Sequence, residues 1–159
     1  MSETLGSLVD KLTIKSIREF YLKKSIQSKK SKFSQKELKS KMKLLKKQKL
    51  LLTKEIEQFI VLAFAEKVTL REEKLKLYNP LKDINRIGKN EKLSQAIEGL
   101  SRKNIELWHL EDEARRTDRP LSYIGEIKKK IDPINQQRND FIDKIDELME
   151  KIVKSKKKN

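Results

Sequence analysis

The stretch Ile124–Ile152, IGEIKKKIDPINQQRNDFIDKIDELMEKI, decides the fold. Alternating steps of three and four residues through it land on Ile124, Ile127, Ile131, Ile134, Arg138, Phe141, Ile145, Leu148 and Ile152. Eight of these nine are apolar, which is the spacing of one buried stripe on a long α-helix and not the alternation of a strand. Pro133 falls inside the run, where it either kinks the helix or restarts it after Asp132.

Three more helical stretches extend from this one toward the N-terminus. The turn TDRP (117–120) ends a helix over about 91–116, whose stripe is Leu93, Ile97, Leu100, Asn104, Leu107, Glu111 and Ala114. A helix beginning at Ser34, where Ser34 and Glu37 form a capping box, repeats Leu38, Met42, Leu45, Lys49, Leu52, Ile56, Phe59, Ala63, Glu66 and Leu70, and is expected to reach about Leu77 before Asn79–Pro80 stops it. A first helix from about Ser7 to Ser28 carries Leu8, Leu12, Ile14, Ile17, Phe20 and Tyr21. SIQSKKSKFSQ (25–35) then reads as the turn of a hairpin, and 79–90 as a loop. The expected fold is all-α: one domain over 1–159, an antiparallel four-helix bundle with a long coiled-coil-like hairpin.

Composition limits the function classes. With no cysteine there is no disulfide or thiolate metal site, and no apolar run is long enough to cross a bilayer, so a cytoplasmic protein is expected. The net charge of +15 is local: residues 23–54 carry thirteen lysines and one acid, and the tail 151–159 adds five lysines. Lys41, Lys43, Lys46 and Lys47 are the candidate anion-binding residues, for nucleic acid or an anionic surface. The excess is lysine over arginine, 31 against 8, which supplies non-specific attraction and not base reading.

NIELWHLEDEAR (104–115) holds the only tryptophan and the only histidine. At about 100° per residue, Asn104, Glu111 and Arg115 fall inside the apolar stripe, Trp108 on its shoulder and His109 on the far side. Glu106-x-x-His109 resembles half of a di-iron bundle motif, but one outward histidine cannot complete it. Asp140, Asp143 and Asp146 have magnesium-like spacing, yet the first two point toward solvent. No metal, cofactor or catalytic set is therefore assigned, and the reading leans away from an enzyme. The inward polar residues form a candidate cluster of Asn104, Trp108, Glu111, Arg115, Asn135, Arg138 and Asn139, either a network that fixes register or a polar-ligand pocket. Glu111 is expected to be buried, with Arg115 or Lys128 as its partner.

LWHLEDEAR (107–115) followed by KKKIDPINQQRNDFIDKID (128–146) resembles the core of an uncharacterised bacterial family, a domain of unknown function. The resemblance covers about 101–148, and LGSLVDKLTI (5–14) resembles an opening found in related small proteins. Pro133 and the lysine-rich hairpin depart from the pattern. The resemblance carries no activity, so the leading expectation is a helical interaction or assembly module with a protein partner or self-association. The alternatives are a polar-ligand binder or small enzyme, and non-specific binding of nucleic acid.

Overall fold

The computed structural model describes residues 3–28, 31–71 and 91–156. They form four helices: α1 (Leu5–Gln27), α2 (Gln35–Phe64), α3 (Leu93–Ala114) and α4 (Leu121–Lys156), with no strand among the described residues. Lys49 meets Glu19 and Gln35 meets Ile26, so α1 and α2 are antiparallel. Gly99 abuts Phe141 and Glu113 meets Tyr123, so α3 and α4 are too. Gly6 meets Asp146 and Asp10 meets Arg138, which sets α1 against α4 in the same sense. The helices therefore alternate up, down, up, down. α1 is the shared element, touching all three others, while α2 packs chiefly on α1.

Local chemistry explains the boundaries. Thr4 caps α1 by accepting from Ser7 N at 3.3 Å, so the helix begins at Leu5, two residues ahead of the expected start. Ser34 and Glu37 form the anticipated capping box on α2. α2 does not run to Leu77 but ends at Phe64. Glu66 adopts a left-handed φ of 58°, Glu66 N donates to Ala63 O and Lys67 N donates to Leu62 O at 2.9 Å. That is a Schellman stop, built here without the usual glycine. The expected stop at Asn79–Pro80 and the loop 79–90 lie outside the described residues.

α4 continues through Pro133, so no restart occurs at Asp132. The carbonyl deprived of its donor belongs to Lys129, an exposed residue where water can replace the lost bond. In its second half the buried face moves off the expected stripe. Ile142, Ile145, Asp146, Met149 and Val153 are buried, whereas Ile152 is exposed. The reason is that α4 covers α1 there as well as α3, and the midpoint between two partners lies to one side of a simple heptad line.

The core gathers at this end of the molecule. Leu5, Leu8, Val9, Leu52, Phe59, Ala63, Ala96, Leu100, Ile142, Ile145, Met149 and Val153 form one buried cluster. Two glycines set the helix spacing. A Cβ on Gly6 would lie 2.3 Å from the Ile142 carbonyl oxygen, and one on Gly99 2.2 Å from the Phe141 ring. At the opposite end burial thins out: α3 has no buried residue after Asn104, and α4 has only Ile127 before Ile142.

Candidate functional site

Where the core gives way to the thinner end, three helices meet at one buried carboxylate. Asp10 of α1, 5% exposed, accepts from Asn104 Nδ2 at 2.9 Å and from Arg138 Nε at 2.9 Å, with Arg138 Nη2 on its second oxygen. Thr13 Oγ1 donates to the Asp10 backbone carbonyl at 2.8 Å and accepts from Asn104 Nδ2 at 2.6 Å. Arg138 Nη1 donates to Asn135 Oδ1 at 3.1 Å. Hydrogen bonding to Asp10 raises the Arg138 pKa above its ordinary value, against the opposing pull of burial. Asn104 and Arg138 were candidates from sequence; Asp10 and Thr13 were not.

A signal for Asp10 exists. Asp10, Ile14, Ile17 and Tyr21 follow one another at i, i+4, i+7 and i+11, a second stripe on α1 headed by an acid. It is masked because α1 also carries Leu5, Leu8 and Leu12 on another side. A helix with partners all round shows no single face.

Beside this node a cleft of about 280 Å³ opens between α1 and the α3/α4 hairpin. Six of the candidates, Asn104, Trp108, Glu111, Arg115, Asn135 and Arg138, line it together with Ile14, Arg18, Leu107 and Ile131. Asn139 is exposed and does not line it. Glu111 pairs with Arg115 at 3.3 Å as one of the two expected partners, but the pair is not buried: the side chains are 46% and 70% exposed. The stripe angle points Glu111 inward, but there an open cleft, and not packed side chains, separates it from Ile14 and Arg18 of α1. Arg115 also reaches Asp112 at 3.6 Å.

Trp108 stacks on Tyr21, ring centroids 5.2 Å apart and 12° from parallel, and its Nε1 is buried with no hydrogen-bond partner among the described residues. His109 is exposed, as its angle requires, and its Nε2 lies 3.4 Å from the Tyr21 hydroxyl. No group of three potential metal ligands occurs among the described residues. Asp146 is buried and accepts Gly6 N at 2.7 Å, while Asp140 and Asp143 are partly buried, not turned fully to solvent as their angles suggest. Lys41, Lys43, Lys46 and Lys47 are all exposed on α2, with Lys41 Nζ 3.7 Å from the centre of the Phe33 ring.

These features define a helical protein with a three-helix polar node and an adjoining cleft. Residues 94–159, which span α3 and α4, match the family model described as Protein of unknown function (DUF4254). The match takes in the LWHLEDEAR and NQQRND segments and leaves out α1, with Asp10, and the lysine-rich hairpin. No curated protein and no solved structure matches the chain. Among the described residues no helix is long and apolar enough to cross a membrane.

Proposed function

We propose that the chain is a helical interaction module whose α2 receives an acidic, amphipathic helical segment of a partner protein. The observation that supports this is the outer side of α2. Leu50 and Leu51 are 57–58% exposed on α2 among Lys43, Lys46, Lys47 and Lys54, and Leu44, equally exposed, continues the patch on the flank toward α1. Leucines of this exposure on a helix with one principal partner supply apolar area for docking, and the lysines select the charge of the occupant. A basic surface of this kind disfavours a second copy of itself and favours an acidic one.

The test uses the full chain and a synthetic helix of alternating glutamate and leucine faces. Binding at tens of micromolar or tighter in about 150 mM salt is expected, weakened at least about tenfold by Leu44→Ser with Leu51→Ser. Equal binding of polyglutamate would reduce the surface to an ion exchanger. Tighter binding of duplex DNA, with a steep salt slope lost on changing Lys41, Lys43, Lys46 and Lys47 to Gln, would replace this proposal with nucleic-acid attraction. Dimers in sedimentation equilibrium that the two serine changes dissolve would replace it with self-association.

A further inference from the structure

We infer that the cleft between α1 and the α3/α4 hairpin is a binding site for a small phosphate-bearing molecule. Three guanidinium groups, those of Arg18, Arg115 and Arg138, line it against a single lining acid, Glu111. Their charges are not equally committed. Asp10 holds Arg138, and Glu111 and Asp112 hold Arg115. Arg18 is exposed and has no ion pair among the described residues, so its guanidinium is the one at the cleft that no carboxylate engages.

Donors remain even on the committed groups. Arg138 directs one N–H from each of its three nitrogens to Asp10 and Asn135, out of the five a guanidinium carries. Asp10 and Asn135 fix the plane of that guanidinium, so the remaining donors are pre-positioned. The Trp108 indole lines the same cleft, and its buried Nε1–H lacks a partner among the described residues.

The chemistry of the occupant follows from these donors. Planar guanidinium forks match phosphate oxygens and bind them bidentately, whereas a lone ammonium offers only a point charge. Ile14, Leu107 and Ile131 add apolar walls, and a cleft of about 280 Å³ lies near the low end of ligand-site sizes. It suits a phosphate with a small organic body. Arg18 and Trp108 also line a neighbouring cavity with Lys41 and Leu44 of α2, so the lysine changes below are the control that separates the two places.

The single tryptophan makes the test direct. The full chain is titrated with ribose 5-phosphate, inorganic phosphate and ribose while Trp108 fluorescence is recorded. Saturable change with a Kd between about 10 μM and 1 mM is expected for ribose 5-phosphate. Arg18→Gln, an exposed position whose loss leaves the fold intact, should weaken it about tenfold. Arg115→Gln should weaken it as well. Ribose 5-phosphate binding tighter than phosphate assigns the organic body, and equal binding assigns the free ion. Three results overturn the proposal: no saturable change up to about 10 mM, the same change with ribose, or a change that survives Arg18→Gln but disappears when Lys41, Lys43, Lys46 and Lys47 become Gln.

Discussion

Asp10 concentrates the polar energetics of the interior. It is 5% exposed and satisfies donors from two other helices, so removing it leaves the Arg138 charge without its carboxylate and takes one of the two acceptors from the Asn104 amide. Asp10→Ala should cost about 3–5 kcal/mol in urea unfolding, the usual consequence of breaking a buried charge pair from one side. Asp10→Asn should cost less, since an amide keeps part of the hydrogen bonding. Glu111→Ala should stay within about 0.5 kcal/mol, because its pair with Arg115 is exposed to solvent. A reversed order would place the structural centre at Glu111. Acid offers a separate check at Glu19, whose hydrogen bonds to Lys23 and then Lys49 lower its pKa from 4.5 to about 2. A depressed carboxylate stabilises the fold above pH 4.5 and loses that contribution as pH falls toward 2. Lys23→Gln with Lys49→Gln should flatten stability against pH in that window. At this scale the sequence was half legible. Asn104 and Arg138 stand out as polar residues on apolar stripes, while Glu111 misleads because an angle reports direction and not whether a neighbour covers it.

At the scale of elements, periodicity located all four helices, α2, α3 and α4 by one dominant stripe each and α1 by apolar residues on more than one side, and the capping chemistry of Ser34 was readable directly. The end of α2 was not readable. The segment after Phe64 has no glycine or proline, and the chain turns by placing Glu66 in a conformation that costs a residue with a Cβ about 1 kcal/mol. Glu66→Gly should therefore raise stability by up to about 1 kcal/mol, the opposite of glycine's usual effect. An unchanged or lower melting temperature would mean that another residue sets this stop. The two helical glycines were equally opaque, because close approach is a property of the pair and not of either sequence. At Gly6 the obstacle to a side chain is the Ile142 backbone, which cannot rotate away, whereas at Gly99 it is the Phe141 ring, which can. Gly6→Ala should cost about 1–3 kcal/mol in thermal unfolding, and Gly99→Ala less.

Across the whole molecule, burial is uneven and the candidate site lies at the transition. Leu8, Leu100 and Ile145 are almost fully buried at one end, where all four helices contribute to a single cluster. Toward the other end α3 and α4 rely chiefly on each other, with the Tyr21–Trp108 stack as a contact from α1 and only Ile127 buried between Leu121 and Phe141. Two helices cannot cover each other's full apolar stripe, so local opening there requires less free energy than in the cluster. The Asp10 node sits between these regions and holds the near end of the cleft rigid while Arg115 and Ile131 lie on the looser arm. Hydrogen exchange measured by mass spectrometry should show this gradient. Amides of 106–114 and 124–132 should exchange at least about tenfold faster than those of 97–103 and 142–149, through local opening and not global unfolding. Asp10→Asn should spread fast exchange into 133–141, because Arg138 then loses its tie to α1, while Glu111→Ala should leave the profile unchanged. Uniform protection along α3 and α4 would show that the hairpin is a single cooperative unit and that its far end gains its stability from packing between the two helices alone.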